Sequence, residues 1–327
     1  MTGQKQDRSS GLQGLSASSL YEILLDYAAS PDPVVEVVIG PVWTLCQTGA
    51  GIGLAMSPQV PVRTLNWPGT LCGRPVRELA EWLLQWEPFA ATVAMAATNA
   101  ALAELAQAPI AIDIEPGTRL PPNLAVFEHF LPQVTGRNVV VVGRYPGVES
   151  LAGYCRLHVL ERQVQGEDYP DPAAEFLLPE ADWVFITATS ITNKTFPRLA
   201  DLARHAKTVL MGPTLPWLPE LADHGIDYLA GIKVLDAPRL RRVVAEGGGV
   251  RIFDHAVGYQ LVELTLQNQI DWLRHRIARV FAQKEQLTWQ MEHWYERNLT
   301  RFPGYAHLDS ANRRLSRLDT AFKQRVP

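Results

Sequence analysis

The chain has 327 residues, of which 47% are hydrophobic and 20% are charged, as is typical of a globular protein with two domains. Its formal net charge of -4 argues against general nucleic-acid binding, and no apolar run reaches the length of about 18 residues that a membrane span needs. The three cysteines are an odd number without CxxC spacing, which favours a reduced, cytoplasmic protein over a disulfide-bonded scaffold.

Charge is distributed unevenly along the chain. Residues 268–327 contain 11 Lys or Arg and 6 Asp or Glu, a net charge of +5, whereas the rest of the chain has a net charge of -9. A basic segment on an acidic body indicates an oligomer contact, an acidic partner or a solvated helical surface. Residues 1–19 are polar and lack the apolar core of a signal peptide, so we expect them to be disordered.

Residues 20–108 have the pattern of a small α+β domain. The periodicities predict a helix at 20–29, one strand at 34–46, a return strand at 52–56, and helices at 74–86 and 89–106. Asn99 is the one polar residue expected to be buried in an alanine-rich helix. Because a buried amide needs hydrogen-bond partners, it either supports a nearby turn or faces a ligand.

A glycine-rich stretch at residues 48–53 resembles the start of a dinucleotide-binding fingerprint. That fingerprint needs a helix directly after the glycines, so that the helix N-terminus faces the pyrophosphate. Pro58 and Pro61 prevent such a helix within a few residues. The glycines therefore predict the turn of a β-hairpin.

Residues 109–135 are predicted to be a linker followed by a crossing helix, and residues 136–266 to be a Rossmann-like domain. Its predicted strands alternate with helical stretches, which is the pattern of a parallel sheet. These strands are expected at 138–143, 156–160, 183–186, 208–211 and 226–234, with closing strands at 250–253 and 259–264. The loop at Gly143 does not fit G-x-G-x-x-G, so the standard NAD fingerprint is absent.

Ligands bind at the carboxyl ends of strands in open parallel sheets, and here those ends carry mostly neutral hydroxyl and amide groups. Thr192 and Asn193 are placed to cap the following helix, with Lys194 and Thr195 in its first turn. A helix N-terminus of this kind attracts anions, and Lys194 would add a charge. A plain helix cap with Lys194 in solvent is an equally good interpretation.

Metal-binding and hydrolytic motifs are weak. The histidines show no HxH or HExxH spacing, and His255 beside Asp254 is the best single candidate for a metal ligand. Ser190 lies on a strand-to-helix turn, but G-x-S-x-G is absent and no acid and histidine complete a triad.

Residues 267–327 form a basic helical extension, with helices predicted at 268–299 and 308–322. Three tryptophans in this extension indicate burial against another surface. We expect it to dock on its own chain, on a second copy in a homo-oligomer or on a protein partner.

The chain resembles the "Putative heavy-metal chelation" proteins, a domain family of unknown function. The resemblance covers residues 20–265 and is carried by 39–44 (IGPVWT), 94–100 (AMAATNA), 178–189 (LPEADWVFITAT), 192–195 (TNKT), 209–216 (VLMGPTLP) and 231–236 (GIKVLD). It implies a domain similar to the N-terminal domain of enolases, a Rossmann-like domain after it, and a site in the cleft between them for a metal ion or metal complex. The extension after residue 267 departs from the family pattern.

The sequence thus predicts an α/β protein with an enolase-N-terminal-like domain, a Rossmann-like domain and a helical C-terminal extension. The predicted function is binding of a small anionic or metal-containing ligand. The alternatives are a non-catalytic accessory protein in metalloenzyme maturation or a nucleotide- or cofactor-dependent enzyme. The predicted ligand-binding residues are Gly143, Tyr145, Thr187, Thr189, Asn193, Thr195, Gly212, Thr214 and Gly231, with Thr44 and Asn99 from the first domain.

Overall fold

The computed structural model describes residues 17–105 and 108–326, which form two compact units. The hairpin unit consists of residues 18–110, 216–219 and 265–327, and the sheet unit of residues 111–215 and 220–264. Most of the segment predicted to be disordered lies outside the described residues. Its last residues, 17–19, belong to the first helix.

The hairpin unit contains a three-stranded antiparallel sheet in which the strands follow in chain order. Its first helices and strands are α1 (Ala17–Tyr27), β1 (Val34–Ile39), β2 (Trp43–Thr48), β3 (Ile52–Met56), α2 (Val76–Ala80), a 3-10 helix (Glu81–Leu84) and α3 (Pro88–Leu102). The predicted turn at the glycine-rich stretch is confirmed, because Thr48 N donates to Gly51 O at 2.9 Å and β2 pairs with β3.

The single strand predicted at 34–46 is wrong, because the chain turns between β1 and β2. Pro41 has no N–H to donate to a sheet ladder, and Gly40 N closes the turn by donating to Trp43 O at 2.9 Å. The predicted helix at 74–86 is also shorter than expected. It is one α-helical turn, α2, continued by the 3-10 helix.

The C-terminal helices α9 (Leu266–Tyr295) and α10 (Tyr305–Lys323) complete the hairpin unit. Arg317 Nε donates to Asp26 Oδ2 at 2.9 Å, and Arg314 Nε donates to the carbonyl of Tyr27 at 3.1 Å. His307 Nε2 lies 3.0 Å from Asp32 Oδ1. The basic extension therefore docks on the α1 region of its own chain.

Arg276 of α9 is fully buried at 0% exposure. Its Nε donates to Leu105 O at 2.9 Å, and its Nη2 donates to Trp217 O. The guanidinium also lies 4.7 Å from the ring centroid of Trp272, a tryptophan with 0% exposure. This one side chain joins α9 to the end of the α3 region and to the short segment 216–219.

The sheet unit is a seven-stranded mixed sheet with helices between its strands, in the order β4-β10-β9-β8-β7-β5-β6. Its strands are β4 (Ile112–Ile114), β5 (Asn138–Val142), β6 (Arg156–Leu160), β7 (Trp183–Thr187), β8 (Lys207–Met211), β9 (Tyr228–Val234) and β10 (Val257–Glu263). Its α-helices are α4 (Ala125–Val134), α5 (Ala174–Leu177), α6 (Thr189–Thr192), α7 (Phe196–Leu202) and α8 (Ala237–Ala245). Its 3-10 helices are Pro122–Leu124, Val148–Gly153, Asp171–Ala173, Pro219–His224 and Val250–Phe253.

Strands β6, β5, β7, β8 and β9 are parallel neighbours, and β10 is antiparallel to both β9 and β4. The predicted α/β class is confirmed. The strand predicted at 250–253 is wrong, because these residues form a 3-10 helix. Residues 112–114, within the segment predicted as a linker, form the edge strand β4.

An aromatic cluster packs α4 against the parallel strands. Phe130 lies 5.3 Å from Trp183, 5.9 Å from Phe185 and 5.1 Å from Tyr228, measured between ring centroids. Phe127 lies 4.9 Å from Phe185. Such ring pairs stabilise a core beyond the area they bury. Across the described residues, every helix is too short or too polar to cross a membrane.

We predict that Arg276→Met lowers the free energy of unfolding by about 3 kcal/mol, because two buried carbonyls lose their donor. Urea unfolding followed by circular dichroism measures this effect. Arg274→Met is the matched control, since Arg274 is 59% exposed and pairs with Asp271 on the surface. A surface pair contributes about 1 kcal/mol or less. Equal losses in the two variants would contradict the structural role of Arg276.

Candidate functional site: the carboxyl edge of the parallel strands

The strand order creates a crevice at the carboxyl ends of β5 and β7. The chain leaves β5 to form β6 on one side, and then crosses back to form β7 on the other side. The loops after β5 and β7 therefore run in opposite directions, which opens a gap between them. Ligands of doubly wound sheets bind at such switch points.

Gly143 and Thr187 end the two strands on either side of this switch point and pack against each other. Gly143 has a φ of 92°, a left-handed conformation that side chains rarely adopt. A Cβ at this position would lie 2.8 Å from Thr187 Cγ2. The backbone of the β5 loop thus approaches the side chain at the end of β7 as closely as packing allows.

Hydroxyl groups hold the loop that follows β7. Thr187 Oγ1 donates to Thr189 Oγ1 at 3.2 Å, and Ser190 Oγ donates to Thr187 O at 2.6 Å. Ser190 is only 1% exposed. Its hydroxyl therefore stabilises the turn, in agreement with the lack of a hydrolase motif around it.

Asn193 folds the next part of this loop. Its Oδ1 accepts hydrogen bonds from Thr195 N at 3.1 Å and from Thr195 Oγ1 at 2.7 Å. This is the local turn that asparagine side chains favour. The expected cap by Thr192 and Asn193 is wrong, because Thr195 is the N-cap residue of α7 and Lys194 lies outside that helix.

Lys194 has an unusual backbone for a lysine, with a φ of 67°. Left-handed non-glycine residues are uncommon and concentrate at functional sites. Its Nζ donates to Thr192 O at 3.3 Å. Partial burial lowers the pKa of Lys194, since desolvation disfavours the charged ammonium group. The sequence does not predict this left-handed backbone, because lysine is not a residue type that favours it.

Tyr145 reaches from the β5 loop to the end of β8. Its hydroxyl donates to Met211 O at 3.3 Å, and a Cβ on Gly212 would lie 3.3 Å from that hydroxyl. Its ring packs edge-on against Phe127 at 5.4 Å. Burial raises the pKa of Tyr145, and a hydrogen bond with Thr187 acts in the opposite direction. The hydroxyl therefore remains protonated at neutral pH.

The other predicted residues of this edge lie on β8 and β9. Gly212 has a φ of 111° and donates its N–H to Ala230 O at 2.9 Å. Thr214 is 2% exposed, and Gly231 pairs with Gln260 of β10. The structure thus joins Gly143, Thr187, Tyr145 and Gly212 in a chain of pairwise contacts, while Gly231 lies one strand further along.

Thr44 and Asn99 belong to the hairpin unit and hydrogen-bond within it. Thr44 Oγ1 lies 2.9 Å from Ser57 Oγ, which donates to Gly40 O at 2.7 Å. Asn99 Nδ2 donates to Leu54 O at 2.9 Å and so joins α3 to β3. A ligand-binding role for these two residues stays a prediction.

A carboxylate at the end of β6 supports the β5 loop. Glu161, the residue after β6, accepts from Arg144 N at 2.9 Å and from Gln163 N at 3.1 Å. Arg144 Nη1 donates in turn to Asp168 Oδ1 at 2.6 Å. Because Glu161 holds two backbone N–H groups, it acts as a support for the loop beside the crevice.

The donor atoms do not fit direct chelation of a heavy-metal ion. Among the described residues, no group of three or more His, Cys, Asp or Glu lies together. His255 is exposed, in a left-handed turn with a φ of 67°. Burial raises the pKa of Cys46 to about 12 and that of Cys155 to about 11, which disfavours the thiolate that binds soft metals.

Comparison with known proteins identifies the family. Residues 21–102 match the DUF4213 model and residues 125–263 the DUF364 model, both described as "Putative heavy-metal chelation". A DUF364-family protein of unknown function from Desulfitobacterium hafniense DCB-2 is 31% identical, with a TM-score of 0.64 over 75% of this chain and 98% of that one. The chain belongs to the DUF364 family.

Two further relatives are more distant or shorter matches. A DUF364 protein of unknown function from Pyrococcus horikoshii is 22% identical, with a TM-score of 0.57 over 76% of this chain and 99% of that one, and shares the fold. The uncharacterized protein MJ0500 of Methanocaldococcus jannaschii is 43% identical over 65 residues. That match spans 19% of this chain and 25% of the relative's length.

We predict that Gly143→Ala costs at least about 2 kcal/mol of stability, from the left-handed backbone and the contact with Thr187. Gly136→Ala is the matched control, because Gly136 has a φ of 74° but open space around its Cβ position. It should lose only the backbone contribution, about 1 kcal/mol. Thermal unfolding of both variants measures the difference, and equal losses would disprove the close approach.

Proposed function

We propose that the protein binds a small ligand with anionic or metal-bound groups at the carboxyl edge of β5, β7 and β8. The observation that carries this proposal is the switch point of the sheet, where the loops after β5 and β7 diverge beside Gly143 and Thr187. Two neighbouring loops, at Tyr145 and at Gly212, border the same strand ends. This is the position at which a doubly wound sheet binds its ligand.

The chemistry of the edge favours a ligand rich in oxygen acceptors. Thr187, Thr189 and Tyr145 line this edge with neutral hydroxyl groups. The O–H groups of Thr187 and Tyr145 donate within the protein, to Thr189 Oγ1 and Met211 O, and would turn to donate to a ligand. Lys194 supplies a cation from the same loop, in a partly desolvated position where its attraction to an anion is stronger than in water. A carboxylate, a phosphate or a chelated metal with carboxylate groups matches this set.

The description of the family supports a connection with metals. The side chains at the carboxyl edge then limit the form in which a metal can bind there. Hard cations bind carboxylates and soft cations bind thiolates or imidazoles, and the carboxyl edge offers no such cluster among the described residues. A metal held by its own organic chelator needs only outer hydrogen bonds and charge from the protein. We therefore favour a metal complex over a bare ion as the ligand.

Calorimetric titration tests this proposal with three probes, namely Ni²⁺, citrate and the Ni²⁺–citrate complex. We expect the complex to bind and the bare ion not to bind. Elemental analysis and native mass spectrometry of the protein as purified provide a second readout. Binding of Ni²⁺ alone with the affinity of the complex would overturn the proposal, as would the absence of any bound species in all of these measurements.

Thr187→Val removes a hydroxyl at the crevice while keeping the side-chain shape. We expect about three- to tenfold weaker binding of Ni²⁺–citrate, which corresponds to the loss of one hydrogen bond. Thr135→Val is the control, because the Thr135 hydroxyl donates to Leu131 O at the end of α4. Weakening of the same size in both variants would refute a direct role for Thr187.

Binding of the anionic probe should depend on the protonation of Lys194. Because burial lowers the pKa of Lys194, the affinity for citrate should begin to fall below the ordinary lysine pKa of about 10.4 as the pH rises. Lys194→Met should weaken binding at neutral pH and abolish this fall. An unchanged pH profile in the variant would assign the dependence to another group.

A second candidate is a non-catalytic accessory role, favoured by exposed aromatic side chains on α9. Phe281 is 50% exposed and Trp289 is 58% exposed. Deleting the extension would remove Arg276 and disrupt the hairpin unit, so point variants are the suitable test. We expect native mass spectrometry to show a dimer of the wild-type protein, and the double variant Phe281→Ser/Trp289→Ser to be monomeric. A wild-type protein that is monomeric at all concentrations would exclude self-association.

A further inference from the structure

The half of α9 that follows Val280 carries a surface outside the protein core. Val280 is the last buried residue of α9, and all residues from 281 to 295 are exposed or half-exposed. A helical segment of about 15 residues is about 22 Å long. The helix α10 returns along α9, and the hydroxyl groups of Tyr295 and Tyr305 meet at 3.3 Å. Packing on α10 therefore leaves much of this segment open to another surface.

One face of this segment has the residue spacing of a coiled-coil seam, in which successive positions are four and three residues apart. This α9 seam consists of exposed or half-exposed residues, namely Phe281, Glu285, Thr288, Glu292 and Tyr295. Phe281 is 50% exposed and Tyr295 is 44% exposed. Aromatic side chains of this kind stabilise an interface when a partner covers them. A second helix that packs along the α9 seam would cover both.

The two glutamates of the α9 seam determine how another α9 can pack on it. In a parallel pair of helices, each seam position faces the same position of the other helix, so Glu285 would face Glu285 and Glu292 would face Glu292. Like charges that face each other repel. In an antiparallel pair, the two alternating sets of seam positions face each other, so each glutamate faces Phe281, Thr288 or Tyr295. Antiparallel packing therefore places every glutamate opposite a neutral side chain.

We propose that a second copy of this chain covers the α9 seam, with the two α9 helices antiparallel. This inference rests on the second candidate function, self-association through α9, and adds its geometry. In the register that keeps the whole seam within the contact, Glu285 of each copy lies opposite Tyr295 of the other, and Thr288 lies opposite Glu292. Each contact occurs twice, as the two-fold symmetry of a closed dimer requires.

The ends of the α9 seam also match in this register. Phe281 lies level with Leu299 of the other copy, a fully exposed residue just beyond the end of α9. Trp289, which follows Thr288 in the chain, is 58% exposed and lies beside the seam near the two-fold axis. Apolar side chains thus meet at both ends of the contact and near its middle. This self-complementary pattern favours a second copy over an unrelated partner.

Cysteine cross-linking tests the orientation in a Cys72→Ser background, which removes the exposed native cysteine. Thr288→Cys and Glu292→Cys are prepared as separate proteins and oxidised in air, each alone and as a mixture. We expect a disulfide-linked dimer in the mixture and at most a trace of it in either protein alone. Gln290→Cys is the control, because Gln290 is exposed on the opposite side of the helix and should give no linked dimer.

Linked dimers from Thr288→Cys alone would show that the helices are parallel and would overturn the proposal. A dimer that is present in native mass spectrometry but remains unlinked in the mixture would overturn it as well, and would leave self-association intact. A wild-type protein that is monomeric would instead refute the second candidate function itself.

Removal of the two negative charges is a second test that does not depend on cysteine geometry. Because each glutamate faces a neutral side chain, Glu285→Gln/Glu292→Gln should change the dimer dissociation constant by less than about threefold. Analytical ultracentrifugation measures this constant, and circular dichroism checks that the variant is folded. Dimerisation that is at least about tenfold tighter would show that the glutamates face each other, and would contradict antiparallel packing.

Discussion

The close approach of Gly143 to Thr187 is the constraint on which the carboxyl edge depends. Parallel strands with crossover helices must deliver their loops to one edge of the sheet, and the order of β6, β5 and β7 sends two of these loops in opposite directions. At the strand ends themselves the two walls touch, because no side chain fits between Gly143 and Thr187. The ring of Tyr145 then bridges the same strand ends by donating to Met211 O. Backbone approach and one aromatic ring thus define the site.

The chemical character of the site follows from its lack of charged or strongly basic metal ligands. Their hydroxyl and amide groups orient a ligand but do not displace the inner coordination shell of a metal ion, for which charged or strongly basic ligands are needed. Two of the three cysteines are unsuited for a different reason, since burial keeps Cys46 and Cys155 protonated. This donor set is the reason that we propose a metal complex, rather than a bare ion, as the ligand of this chain.

Much of the fold was predictable because buried parallel strands are short, β-branched runs. Asn138–Val142, Trp183–Thr187 and Lys207–Met211 have such sequences, and the structure confirms them as strands. The errors have physical causes. The predicted strand at 34–46 is interrupted by a turn at Gly40 and Pro41, although the sequence is apolar on both sides of it. The predicted strand at 250–253 is too short for its hydrophobic pattern to distinguish a 3-10 helix from a strand.

The edge of the candidate site was predictable, but its local geometry was not. Strand ends can be located from the sequence, so Gly143, Thr187 and Gly212 could be named as neighbours. The left-handed backbone of Lys194 and the hydrogen bonds that Thr195 donates to Asn193 Oδ1 have no signature in the residue pattern.

The composition of the hairpin unit has a consequence for protein synthesis. Arg314 donates to the carbonyl of Tyr27, 287 residues earlier in the chain, and Arg276 bonds to Leu105, 171 residues earlier. The α1 region is translated before the sheet unit but lacks these partners until α9 and α10 have been translated. The sheet unit, whose strands all precede residue 264, has its complete sequence sooner. Cotranslational folding from the N-terminal side is therefore open to the sheet unit before it is open to the hairpin unit.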